Sequence, residues 1–252
     1  MKVIAIANQK GGVGKTTTAT ALASVLSKEG YKTLLIDADT QCNATDTYRG
    51  VYEEKATLYD ILFTDAEVKD AIQETEVGHI VPGDPLLREC EIKFGSDISL
   101  IRRLQRKLKK LDGYDYVIID TAPNIGNMLI SCILASDAII VPVTADRYAL
   151  AGLDQLKKTI DNIEDMFDRK IPIEGFLLVK FNERMNLSKE TREALFAVAK
   201  NLGTRVFNST IRESSKAREA QATRRSLYEY APNCTTAMDY YDFCNELLEK
   251  GV

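Results

Sequence analysis

The chain has no run of apolar residues long enough to cross a bilayer. The longest, Met128 to Val143, is broken by Ser131, Ser136 and Asp137. No basic segment precedes the first apolar residues and no small-residue cleavage site follows them, so no secretory signal is expected. The five cysteines (Cys42, Cys90, Cys132, Cys234, Cys244) are scattered, and no two have CxxC spacing. That excludes the common zinc ribbons and leaves reduced thiols as the expectation. The single histidine, His79, stands before Ile80 and Val81 and reads as structural. A net charge of −4 leaves no positive surplus for wrapping nucleic acid over the whole surface, although a local basic patch stays possible. No repeat, low-complexity stretch or Pro/Gly/Ser linker divides the 252 residues, so one domain over 1–252 is expected.

Short β-branched runs alternate with longer amphipathic stretches. Strands are expected at Lys2–Ala7, Thr33–Ile36, His79–Val81, Tyr116–Ile119, Ala138–Val143, Gly175–Phe181 and Arg205–Phe207. Several are apolar without alternation, the pattern of strands covered on both faces of a parallel sheet. Helical periods lie between them: Leu150, Leu153, Ile160, Ile163 and Phe167 share one face, as do Leu187, Thr191, Leu195, Val198 and Leu202. The first helix should open at Lys15 and stop at Gly30. The fold class these alternations predict is α/β, a doubly wound, mostly parallel sheet flanked by helices.

Directly after the first strand comes Lys10-Gly11-Gly12-Val13-Gly14-Lys15-Thr16-Thr17. Glycines at that place let successive N–H groups turn inward, and the following helix adds its positive end, which together make a phosphate cradle. Lys15 would reach the β- and γ-phosphates of a nucleotide, and the Thr16 hydroxyl would ligate Mg²⁺. The common P-loop has a glycine where Gln9 stands, whereas here a lysine, Lys10, precedes the glycine pair.

KGGVGKTT resembles the deviant Walker A motif of the ParA/MinD ATPases, whose extra lysine is their signature. LLIDADTQCNAT (Leu34–Thr45) is similar to the family's second acidic motif, and YDYVIIDTAPNIG (Tyr114–Gly126) to its Walker B strand. VPVTADRYALAGL (Val141–Leu153) resembles the ParA branch, in its small form without an N-terminal helix-turn-helix. Thr40 stands where that branch has proline. The resemblance implies a P-loop ATPase using ATP and Mg²⁺. It makes Asp39 the residue that positions the attacking water, and Asp120, with Asp37 as a second candidate, part of the Mg²⁺ shell. Lys10 would cross to a partner's nucleotide in an ATP-bound homodimer. Cys90 and Cys132 raise the iron–sulfur clusters of the related nitrogenase iron protein, but Cys132 lies in an apolar helical run and reads as core.

Two basic clusters stand out. Arg102 to Lys110 holds six positive charges in a helical pattern, which reads as a solvated helix face. Lys180 to Ser226 holds eleven Lys/Arg against five Glu in a chain of net charge −4. By resemblance to ParA, Arg184, Lys216 and Arg218 are candidate contacts for nonspecific double-stranded DNA, with Arg224 and Arg225 extending the stripe. The resemblance further implies a ParB-like partner that stimulates hydrolysis, and a cytoplasmic, nucleoid-associated protein. The ending Phe243–Val252 is too poor in Lys/Arg to be the membrane helix of a MinD-type protein. A MinD-like regulator and a metabolic P-loop enzyme of similar fold remain the alternatives.

Overall fold

A computed structural model describes the chain except residues 54, 96, 125, 147–148 and 250–252, and the side chains of 149–151. Arg147 and Tyr148 of the fourth motif, Ile125 of the third, the Leu150 side chain and the last three residues of the acidic ending therefore lie outside the described residues.

The described residues form an eight-stranded sheet in the order β3-β4-β2-β5-β1-β6-β7-β8. The strands are β1 (Lys2–Ile6), β2 (Thr33–Ala38), β3 (Gln73–Glu74), β4 (His79–Val81), β5 (Tyr116–Thr121), β6 (Ala138–Thr144), β7 (Ile173–Phe181) and β8 (Val206–Arg212). Every pairing is parallel except β3 with β4. Alternate residues of the central strands enter opposite layers. Val3, Ala5, Leu34, Ile36, Val117 and Ile119 join one core, while Ile4, Ile6, Leu35 and Ile118 join the other. With both faces covered, alternation between polar and apolar residues has no physical basis, which is why the strands read as continuous apolar runs.

The helices that flank the sheet include α1 (Lys15–Lys28), α2 (Asn43–Tyr48), α3 (Leu58–Phe63), α4 (Asn127–Ala135), α5 (Ala149–Phe167), α6 (Asn186–Asn201), α7 (Ser215–Ala222) and α8 (Thr235–Glu249). α1, α2, α7 and α8 cover one face, and α3 to α6 the other. The expected end of α1 is borne out in detail. Gly30 has φ +90, its N–H donates to Ser27 O at 3.2 Å, and Tyr31 N–H donates to Leu26 O at 3.1 Å, the two bonds of a Schellman stop.

Two strands depart from expectation. β8 runs on to Arg212 through Asn208, Ser209 and Thr210, residues that read as a loop. It is an edge strand, and Glu246 of α8 accepts the amides of Asn208 and Ser209 at 2.8 Å each, so its polar residues find partners outside the ladder. β3 is two residues long and carries no apolar signal. Cys90 and Cys132 are fully buried, and burial pushes both thiols up, that of Cys90 to about 12; they are core.

Candidate functional site

The C-terminal ends of β1, β2, β5 and β6 lie side by side, and the loops that leave them meet over one edge of the sheet. Between β1 and α1 the chain turns through Gly12 (φ +72) and Gly14 (φ +80), left-handed conformations that a side chain would strain. A Cβ added at Gly12 would meet nothing within 4 Å, so open space faces the loop. Gly14 is the N-cap of α1 and supplies no side-chain cap, which leaves the first-turn amides to that space. The loop starts from a fixed point: buried Asn8 donates to Pro142 O at 2.7 Å and accepts Lys10 N–H at 2.9 Å.

Lys15 is 6% exposed and its ammonium donates to Lys10 O at 2.9 Å. Burial lowers its pKa, and the charges of Asp120 and Asp39 oppose that shift. Both carboxylates thus face the lysine from neighbouring strand ends.

Asp120 has an exposure of 0%, and among the described residues neither of its oxygens takes part in a hydrogen bond of ordinary geometry. Burial first, then the charge of Asp37, raises its pKa well above the usual carboxylate value, with the Thr16 hydroxyl opposing most strongly. A buried carboxylate without a partner is costly in an isolated fold. A hydrated divalent cation held with Thr16 would supply the charge this carboxylate lacks, so these residues fit Mg²⁺.

Asp37 pairs in register with Asp120 but has different duties. Its Oδ2 accepts both the amide and the hydroxyl of Thr45 at 2.7 Å, and its Oδ1 accepts Asp39 N–H at 3.1 Å. The carboxylate thus ties down the loop between β2 and α2. Burial pushes its pKa up to about 6 even so. Asp37, the second candidate for the metal shell, is thus a hydrogen-bonded carboxylate, while among the described residues the Asp120 oxygens have no such bonds. Asp39 stands at the mouth, 9% exposed, with Oδ1 accepting Gln41 N–H at 2.9 Å. It lines a cavity of about 260 Å³ together with Gly12, Lys15, Thr16 and Pro123.

Lys10 reaches the other way. Its ammonium pairs with Asp146, just past the end of β6, and the Thr144 hydroxyl donates to the same carboxylate at 2.6 Å. Lys180, from β7, donates to Gly12 O at 2.8 Å. Neither Asp146 nor Lys180 emerges as a site residue from the sequence. Asp146 follows a strand end, the position that singles out Asp39 and Asp120, so the same criterion applied to β6 would have found it.

The candidate DNA residues fall into two groups. Arg184 and Arg218 line one cleft of about 780 Å³, with Ser215 beside Lys216 on its rim and Glu183, Glu213 and Asp242 in its wall. Lys216 pairs with Glu219 at 2.8 Å, and Arg218 lies 3.8 Å from Glu213. Arg224 instead pairs with Asp46 at 3.3 Å, and Arg225 lies over the Tyr230 ring, so these two sit toward α2, at the far end of α7. The other basic cluster has a local task. Arg103 donates to Leu62 O at 2.9 Å, and the Lys107 ammonium donates to Thr64 O and Ala66 O, closing the carbonyl end of α3.

A family model described as an AAA domain matches residues 1–173. Over 99% of both chains, the sequence is 37% identical to the sporulation initiation inhibitor protein Soj of Bacillus subtilis. Among solved structures, apo McdA of Cyanothece superimposes with a TM-score of 0.87 at 27% identity, covering 98% of this chain and 99% of that one. A putative plasmid partition protein of Borrelia burgdorferi bound to AMPPNP gives a TM-score of 0.81 at 27% identity, over 100% and 99%. A cobyrinic acid a,c-diamide synthase of Mycobacterium smegmatis with bound ADP and magnesium gives 0.83 at 27% identity, over 99% and 94%.

Proposed function

Since this chain belongs to the ParA/MinD family of P-loop ATPases, we propose that it is a partitioning ATPase. ATP joins two copies, the dimer holds DNA without reading its sequence, and a ParB-like partner triggers hydrolysis and release. The observation that carries this reading is one loop with two lysines of different circumstance. Lys15 is buried beside Asp120, while the Lys10 side chain is 35% exposed and held by a single carboxylate that it can leave.

The amides of Gly11 to Thr17 and the Lys15 ammonium would bind the phosphates, and Thr16 with Asp120 would hold a Mg²⁺ that supplies charge neutralisation there. Asp39, its carboxylate fixed by the Gln41 amide, orients a water for in-line attack. Lys10 supplies transition-state charge to the partner's nucleotide, as an arginine finger does. Positioning alone is a weak catalyst, so turnover stays low until the partner protein acts.

A membrane role is disfavoured by α8. It carries no Lys or Arg, and its Phe243, Cys244 and Leu247 are fully buried against the core. No helix among the described residues is long and apolar enough to cross a membrane. The likeness to an amide synthase supports a second reading, an ATP-dependent ligase. Light scattering with ATP and Mg²⁺ separates the two. The wild type should double its mass, Lys15→Ala should lose nucleotide, and Lys10→Ala should bind ATP yet stay monomeric. A Lys10→Ala protein that dimerises and hydrolyses like the wild type would rule out the partitioning mechanism.

A further inference from the structure

β7 does not end as a regular strand. Its register against β8 slips between Val179 and Phe181, and Lys180 between them has φ +53. Leu177 and Val179 face the α1 side, as alternation requires, but Phe181 packs in the opposite core. One residue is therefore extra, and Lys180 is that residue. A left-handed conformation at a lysine is strained, and such strain persists only where the surroundings fix it. Here it accompanies a contact across 168 residues of sequence, from the Lys180 ammonium to Gly12 O at 2.8 Å. The end of β7 already touches the loop, since a Cβ on Gly14 would meet Val179 Cγ2 at 3.8 Å.

We propose that Lys180 is a positioning residue that preorganises the phosphate-binding loop by fixing the Gly12 peptide plane at the edge of the cavity that both residues line. The inference rests on the nucleotide-binding reading of that loop. A phosphate cradle works only with its N–H groups inward and its carbonyls outward. A carbonyl turned inward would oppose the phosphate oxygens. A cation bonded to Gly12 O fixes the peptide plane, so the loop no longer loses that freedom when nucleotide binds. The contribution is the same for a diphosphate and a triphosphate, because it acts on the loop and not on the reacting bond. Lys180 therefore sets nucleotide affinity and leaves the chemical step alone.

Calorimetry with ADP·Mg²⁺ and with a non-hydrolysable ATP analogue, beside steady-state ATPase, tests this on the full chain. Lys180→Met keeps the apolar stem and removes the charge. It should weaken both nucleotides about tenfold, the loss expected for one charge-assisted hydrogen bond near the surface. KM should rise in parallel while kcat at saturating ATP stays within about twofold. Lys180→Arg should recover most of the affinity. Lys180→Gly separates strain from charge, since it relieves the left-handed backbone and should melt no lower than the wild type, yet bind as weakly as Lys180→Met. Wild-type affinity in Lys180→Met or Lys180→Gly would overturn the proposal, as would a fall in kcat with KM unchanged. A wild-type protein that binds neither nucleotide would overturn the nucleotide-binding reading itself, and this proposal with it.

Discussion

The ammonium of Lys10 rests on the carboxylate of Asp146, 136 residues along the same chain. The lysine expected to serve a partner's nucleotide is thus neutralised at home. Its own carbonyl meanwhile accepts Lys15. Nucleotide that draws Lys15 forward takes the second bond away and leaves the Lys10 ammonium paired with Asp146 as its tether.

Removing the tether should favour the dimer. Asp146→Asn is expected to bind ATP like the wild type and to dimerise at several-fold lower protein concentration, read by sedimentation at graded concentrations. The pair is about one-third exposed on each side, which limits the gain to a small effect. Unchanged or weaker dimerisation would mean that Asp146 does not compete for Lys10.

Asp120 gives a prediction with a definite sign in pH. Its folded pKa lies well above the ordinary 3.8, so between those values the folded state binds more protons than the unfolded one. Without metal, stability contributed by this group is complete at low pH and is lost as pH rises through that window. Asp120→Asn removes the titration and keeps an oxygen that can accept the Thr16 hydroxyl. At pH 7.5 and without nucleotide it should melt roughly 3–6 °C above the wild type, about 1–2 kcal/mol for a domain of this size. The gap should narrow toward pH 4. With ATP and Mg²⁺ the order should reverse, because only the wild type gains from the metal. A melting temperature below the wild type at pH 7.5 without metal would contradict the unpartnered-carboxylate account.

Arg103 and Lys107 should matter for stability and not for DNA. Each closes carbonyls at the end of α3, so Arg103→Ala and Lys107→Ala should each cost about 1 kcal/mol, or roughly 2–4 °C in melting temperature. Their DNA affinity should equal that of the wild type. Weakened DNA binding without a change in melting would reverse the assignment.

The elements that were legible in the sequence are those whose physics is local. The glycines, Lys15 and the first turn of α1 announce a phosphate cradle because strand, turn and helix adjoin in the chain. Apolar runs reveal β1, β2, β5 and β6 because both faces of the sheet are covered. Roles that depend on distant partners were not legible. Asp37 and Asp120 both stand at strand ends, and it is the bonds from Thr45, eight residues past Asp37, and from the Asp39 amide that distinguish the anchored carboxylate. The extension of β8 past Phe207 is not legible because the acceptor of its amides, Glu246, lies on α8. Arg103 and Lys107 read as solvated because their carbonyl partners lie about 40 residues earlier. Lys180 reads as one charge among eleven until the bulge aims it at Gly12.

DNA binding by the Asp39→Ala protein, compared with ATP and with ADP across a salt series, is the most direct test of an ATP-gated DNA surface. This variant should hydrolyse about a hundredfold more slowly and so stay in its ATP-bound form. With ATP it should bind unrelated duplexes equally, and the logarithm of affinity should fall linearly with that of salt, by about 0.9 per phosphate contact. With ADP it should bind weakly at every salt concentration. Adding Arg184→Ala or Lys216→Ala should lower both affinity and slope while ATP binding persists, since side chains that meet phosphates give position without base reading. Equal binding with ATP and ADP, or one salt curve shared by all variants, would contradict it.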